Sequence, residues 1–117
     1  RLISNESEIK KYLLNKNFIP IKLGVTEFSE QVNIFNNADC IVGLHGAGFA
    51  NLSFCRERTK VIEFRTETTG SVIENLAKKN NLEFDSIICT AKAPEYAKQS
   101  GHIKIPLDLL EQKMSEI

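Results

Sequence analysis

The residues with the clearest chemical potential in this 117-residue sequence are His45, Gly46, Ala47 and Gly48, which follow the apolar run Cys40-Ile41-Val42-Gly43-Leu44. A short continuous apolar run is what a strand buried on both faces requires, and here a glycine-rich turn closes it. A helix starting at that turn has N–H groups without intrahelical acceptors and the positive end of its dipole. Two glycines let the backbone turn sharply and approach a ligand closely, so the segment has the makings of a pyrophosphate site. His45 can add a hydrogen bond or a charge to a phosphate, and Asn51 falls about one turn into the same helix. The pattern also has a purely structural use. A Gly-x-Gly turn after a strand relieves crowding between strand and helix, and a histidine beside it can cap a carbonyl.

Glu63 ends the buried-looking run Val61-Ile62-Glu63 ahead of Phe64. An ionised side chain there is costly unless it reaches a partner or the carboxyl edge of a sheet. Two readings stay open: it accepts hydrogen bonds from ribose hydroxyls, or it forms a salt bridge with Arg65 or a neighbour. Arg1, Asn5 and Glu6 stand near the start of a first helix, where a preceding strand would deliver a loop to the same edge, although capping and solvated charge also account for them. Arg56, Arg58 and Lys60 read as a solvated basic cluster. The three cysteines, Cys40, Cys55 and Cys89, are odd in number and lack metal-type pairing, as free thiols in a reducing compartment would. A hydrolase using Cys55 or a serine with His45 is a rival, but no nucleophile elbow supports it. No Asp-x-Asp element or metal-ligand cluster occurs, and no metal or other cofactor is expected.

The elements that must position these groups follow from periodicity. Asn5 and Glu8 resemble a capping box, and Ile9, Tyr12 and Leu13 continue at helical spacing to about Asn17. Phe18 to Leu23 alternates as a strand, and Ser29 is placed to cap a second helix bearing Val32, Phe35 and Ala38. After the strand ending at Leu44, a short helix is expected over Ala50 to Cys55, then a strand over Lys60 to Phe64. Ser71 is placed to cap a helix with Ile73, Leu76 and Ala77 on its stripe, followed by a strand from Phe84 to Cys89. Thr90 to His102 reads as a surface loop, Ile103 to Ile105 as a short edge strand, and a last helix starts at about Pro106. Such alternation predicts an α/β fold with a parallel sheet, right-handed crossovers and helices on both faces. Ligands of such sheets bind outside the carboxyl ends of the strands, where His45 to Gly48 falls.

Length fits one domain over residues 1–117 with a modest core. Fifteen basic residues balance 15 acidic ones, which removes the electrostatic case for nucleic acid or an anionic membrane as partner. No apolar run approaches the roughly 20 residues that span a bilayer. The chain opens on Arg1 within a structured-looking stretch and is expected to be a fragment of a longer protein.

The segment Phe28-Ser29-Glu30-Gln31-Val32, continuing through Phe35 and Ala38 to Ile41-Val42-Gly43-Leu44-His45-Gly46-Ala47-Gly48-Phe49-Ala50-Asn51-Leu52 and Val61-Ile62-Glu63, resembles glycosyltransferase family 61. Arg1-Leu2-Ile3-Ser4-Asn5-Glu6 resembles the Arg-x-x-x-Asn-Glu element of the same family. That family includes bacterial capsular polysaccharide biosynthesis proteins, plant xylosyltransferases and eukaryotic enzymes adding N-acetylglucosamine to proteins. The resemblance implies a Rossmann-like three-layer sandwich with a mainly parallel sheet, forming the carboxyl-terminal, donor-binding half of a GT-B architecture. It places Arg1, Asn5, His45, Gly46, Ala47 and Gly48 around the donor's nucleotide diphosphate, with Glu63 and Gln31 as further candidates. It implies a nucleotide diphosphate sugar as donor, no metal, and a glycan acceptor held by an amino-terminal domain that precedes this stretch, so that the isolated fragment is expected to be inactive. A cytoplasmic location, peripheral to the membrane in the full-length protein, and a bacterial source are expected, with a noncatalytic nucleotide-binding or interaction domain as the alternative. Phe49 stands where the family usually has leucine, and Arg58-Thr59 replaces small turn residues; neither touches the proposed phosphate loop.

Overall fold

The structure is a computed structural model, described over residues 3–67, 69–92 and 102–116. Its centre is a sheet of three parallel strands, β1 (Cys40–Leu44), β2 (Lys60–Arg65) and β3 (Glu83–Ile88), in the order β1-β2-β3. Register runs from Cys40 opposite Lys60 to Leu44 opposite Phe64, and from Lys60 opposite Glu83 to Arg65 opposite Ile88. β2 is the middle strand, which explains its unbroken burial from Val61 to Phe64.

Alternate residues of a strand point to opposite faces, and the two hydrophobic clusters of the chain divide accordingly. Ile62 and Phe64 of β2, with Ile87 of β3, pack with Ile9 of α1 (Glu6–Asn15) and Leu110 of α4 (Leu107–Ser115). Val61 packs with Phe35 of α2 (Phe28–Asn37), with Ile73 and Ala77 of α3 (Val72–Lys79), and with Phe49 and Leu52. The sheet thus carries helices on both faces, as the alternation of elements requires. Lys113 of α4 reaches Asp85 of β3 at 3.0 Å, and that carboxylate raises the lysine's pKa.

Five local expectations are corrected. First, Phe18 to Leu23 is not a strand: residues 18–22 are irregular, Leu23–Val25 is a turn of 3-10 helix, and Ile19 is 78% exposed. Pro20 removes a ladder donor in the middle of that run, which outweighs its apolar alternation. Second, α1 stops at Asn15, two residues early, and Asn17 reverses the chain with φ 68°. Third, α2 begins at Phe28 after Glu27 rather than after a capping Ser29.

Fourth, the element after β1 is a 3-10 helix over Ala47–Phe54, three residues earlier than expected and not α-helical. Phe49 and Leu52, three apart, eclipse on one side of such a helix and are 5% and 0% exposed. Burying each contributes about 1.5–3 kcal/mol, which favours the tighter winding in a segment where Gly48, Asn51 and Ser53 weaken an α-helix. Fifth, Thr90 is not the start of a loop. β4 (Thr90–Lys92) pairs antiparallel with β5 (His102–Lys104), making a separate two-stranded sheet in place of the edge strand expected at Ile103 to Ile105. Residues 93–101 of the expected loop lie outside the described residues. Ile3 bridges to Ile103 in parallel, which joins the amino-terminal segment to β5.

Candidate functional site

At the carboxyl end of β1 the ladder runs one residue further, with the His45 N–H donating to the Phe64 carbonyl at 3.0 Å. Continuing the register one step sets His45 beside Arg65 on β2, on the face that also carries Glu63. His45 and Glu63 are therefore diagonal neighbours across two strands, a separation that long side chains bridge. His45 Nδ1 lies 2.6 Å from Glu63 Oε2. The imidazole is 39% exposed while the carboxylate is fully buried, so the pair connects the interior of the sheet to its surface.

Arg65 completes this group. Its Nη1 stands 3.9 Å from Glu63 Oε1, an ion pair too long for a hydrogen bond. Its Nη2 donates to the Thr69 carbonyl, and the turn that presents that carbonyl is closed by Thr69 N–H to the Thr66 carbonyl at 3.1 Å. Glu63 Oε1 and Arg65 Nε have no hydrogen-bond partner among the described residues. A buried carboxylate costs several kcal/mol unless matched, and here one cation and one imidazole share the task. Of the two readings open for Glu63, the structure contains the Arg65 pair and adds a stronger contact to His45.

The glycines of the loop have different reasons to be glycine. A Cβ on Gly43 would meet the Phe49 ring at 3.3 Å, and one on Gly48 would meet Leu23 Cδ1 at 2.7 Å. Both positions are set by packing. Gly46, with φ 166° and ψ 178°, is extended, and a Cβ there would meet nothing within 4 Å among the described residues. The sharp turn expected of these glycines is absent: no described glycine adopts the left-handed region of φ. Neither backbone strain nor the protein's own packing calls for glycine at position 46. Gly46 caps the 3-10 helix, its carbonyl accepting from the Phe49 N–H at 3.1 Å.

Gln31 holds the loop's other side. Its Nε2 donates to the carbonyls of Leu23 and Thr26 at 3.0 and 2.8 Å, and its Oε1 accepts from Asn51 Nδ2 at 2.8 Å. One side chain on α2 thereby ties the Leu23–Val25 turn, whose Leu23 abuts Gly48, to the 3-10 helix. Gln31 and Asn51 both appear among the residues singled out in the sequence, and both have their amides committed within the protein.

The amino-terminal candidates divide. Arg1 lies outside the described residues. Asn5 precedes α1 but makes no side-chain cap; its Nδ2 donates to the Ile105 carbonyl at 2.7 Å and its Oδ1 accepts from the Ile105 N–H at 3.0 Å. Asn5 and Glu8 line an open cleft of about 580 Å³ together with Thr90, Lys104 and Asp108. His45 and Gly46 are not among the residues lining that cleft. The structure thus brings His45, Gly46, Gly48 and Glu63 to one end of β1 and β2, and gives Asn5 a backbone partner on β5's flank.

Burial pushes the Cys55 thiol from 9.0 up to about 11, with Arg56 opposing it more weakly. A thiol so rarely ionised near neutrality is a poor nucleophile. Among the described residues no three His, Cys, Asp or Glu side chains gather into a metal-binding group, and no helix is long and apolar enough to cross a membrane.

A parallel sheet with a glycine loop at its carboxyl edge is a ligand-binding architecture shared by many activities. The sequence model of the family described as Glycosyltransferase 61 matches residues 1–62, more than half of the chain and all of β1 and the glycine loop. The chain belongs to glycosyltransferase family 61, and glycosyl transfer is the chemistry that membership carries. No curated protein and no solved structure matches it.

Proposed function

We propose that this chain is the donor-binding domain of a glycosyltransferase that moves a sugar from a nucleotide diphosphate sugar to a glycan acceptor, in capsular or surface polysaccharide synthesis. The observation that carries the reading is Gly46: an extended glycine beside His45, at the carboxyl edge of the sheet, with open space where a side chain would stand. A backbone that must let a phosphate approach its N–H groups has that requirement, and nothing among the described residues does.

In this reading the chain forms a Rossmann-like half of a GT-B enzyme. The first N–H groups of the 3-10 helix, at Ala47 and Gly48, face the diphosphate and stabilise the negative charge that develops as it departs. His45 donates to a phosphate oxygen. Glu63 belongs to the site through His45, and Asn5 through the segment it fastens to Ile105. Arg1 is assigned to the diphosphate by family resemblance alone. The base that activates the acceptor hydroxyl is assigned to an acceptor domain, and the enzyme to the cytoplasmic side of the membrane.

Calorimetric titration of the chain in its full-length context with uridine, guanosine and cytidine diphosphates tests the reading. One of the three is expected to bind, and His45→Ala is expected to weaken it by roughly ten- to a hundredfold, the loss of one charge-assisted hydrogen bond. Absence of binding by all three diphosphates would refute the donor site.

A further inference from the structure

The buried carboxylate behind His45 decides which of its ring nitrogens can meet a ligand, and in what state. Glu63 is fully buried, and its Oε2 is 2.6 Å from His45 Nδ1. An ionised carboxylate only accepts hydrogen bonds, so the hydrogen between these atoms belongs to Nδ1. Arg65, permanently charged, stands 3.9 Å from Oε1 as the carboxylate's second partner. The guanidinium is itself held by the Thr69 carbonyl at the start of the next loop. Among the described residues, His45–Glu63 and Glu63–Arg65 are the ion pairs that reach this group.

A neutral imidazole carries one N–H. With that hydrogen committed to Glu63, Nε2 of the neutral ring is an acceptor with nothing to give an anion. We infer that Glu63 makes diphosphate capture by His45 depend on a proton: the ring donates to a phosphate oxygen through Nε2 only as the imidazolium. Glu63 is a positioning residue in this scheme, too deeply buried to touch the donor and acting through the ring it orients. The proton comes from solvent, to which the imidazole is open, and the diphosphate oxygen receives a charged donor in place of a neutral one. The inference rests on the donor-site reading for its phosphate, and on the His45–Glu63 contact alone for its tautomer.

The two supports are tested apart. Nitrogen-15 NMR reads the tautomer directly, and the chain has only two histidines, His45 and His102, so His45→Ala assigns the signals. The neutral His45 ring is expected to carry its hydrogen on Nδ1, and Glu63→Gln is expected to shift the population toward Nε2–H, because an amide can also donate to Nδ1. A neutral His45 ring carrying its hydrogen on Nε2 in the unaltered protein would overturn the inference.

The second arm measures proton uptake on binding whichever nucleoside diphosphate binds, by calorimetry at several pH values in buffers of different ionisation enthalpy. The unaltered protein is expected to take up more protons than His45→Ala, and Glu63→Gln is expected to lose that excess while still binding. Equal uptake by the unaltered protein and by Glu63→Gln would overturn the coupling with the donor site intact. No binding of any diphosphate would instead remove the donor-site reading on which the phosphate step depends.

Discussion

Replacing Gly46 with alanine separates a glycine kept for the fold from one kept for a ligand. The backbone there is extended, a conformation alanine adopts freely, and the added methyl meets no atom of the described residues within 4 Å. Folding stability should therefore be unchanged or raised by about 0.4–1 kcal/mol through the stiffer unfolded chain. Gly48→Ala is the internal control. Its methyl would stand 2.7 Å from Leu23 Cδ1, and something must move. The terminal methyl of a leucine rotates away at modest cost, so a loss of about 1 kcal/mol, at the low end of overpacking, is expected. Binding should rank the other way. A methyl at position 46 stands where a phosphate oxygen must approach the first N–H groups of the 3-10 helix. Loss of one such charge-assisted bond is about 1.5–3 kcal/mol, or roughly ten- to a hundredfold in Kd. Urea unfolding reads the first quantity and diphosphate calorimetry the second. Gly46→Ala binding as tightly as the unaltered chain, or destabilising it more than Gly48→Ala does, would refute the argument.

Two further outcomes are expected. Asn5→Ala removes both hydrogen bonds to the backbone of Ile105, a residue with no exposure, and should cost about 2–4 kcal/mol in urea unfolding by leaving a buried N–H and C=O unpaired; a loss under 0.5 kcal/mol would mean that water replaces them (roughly the limit for an exposed surface change). Burial pushes the thiols of Cys40, Cys55 and Cys89 from 9.0 up to about 11, so the folded chain holds protons that the unfolded chain releases between those values. That stabilising contribution is whole below pH 9 and is lost as pH rises toward 11. A disulfide reagent at pH 8 should label the native thiols roughly a hundredfold more slowly than the unfolded ones, and equal rates would contradict the burial.

What sequence reveals here depends on how far apart the interacting residues are. β1 and β2 were legible because their centres are short apolar runs, and each run is local; β3, Glu83–Ile88, carries Asp85 and Ser86 and was legible from its place in the alternation of strands and helices. The glycine loop, like β1 and β2, was legible because it is local: strand, glycines and helix start are consecutive. The Phe18 to Leu23 segment misleads because Ile19, Ile21 and Leu23 alternate correctly, while the proline between them and the lack of a strand partner decide the matter. β4 is three residues long and polar, and only its pairing with β5 makes it a strand. Asn5 reads as a helix cap because local rules favour asparagine there, yet its partner is 100 residues away. Glu63 was recognisable as a costly burial, but His45 as its partner required the register between two parallel strands, since the pair is diagonal and separated by 18 residues. The signal was available in principle: with Gly43 opposite Glu63, a histidine two residues beyond that glycine returns to the same face.

The same diagonal has a meaning for how the sheet assembles. Sliding β1 by one residue against β2 would turn His45 to the opposite face and leave Glu63, already in the middle strand, buried without its imidazole. Arg65, on β2 itself, would stay 3.9 Å from the carboxylate, so the misalignment forfeits the closer contact to His45 and leaves the buried charge with one partner in place of two. The histidine and glutamate therefore favour one alignment of β1 and β2, the one in which His45 joins Arg65 in matching the carboxylate.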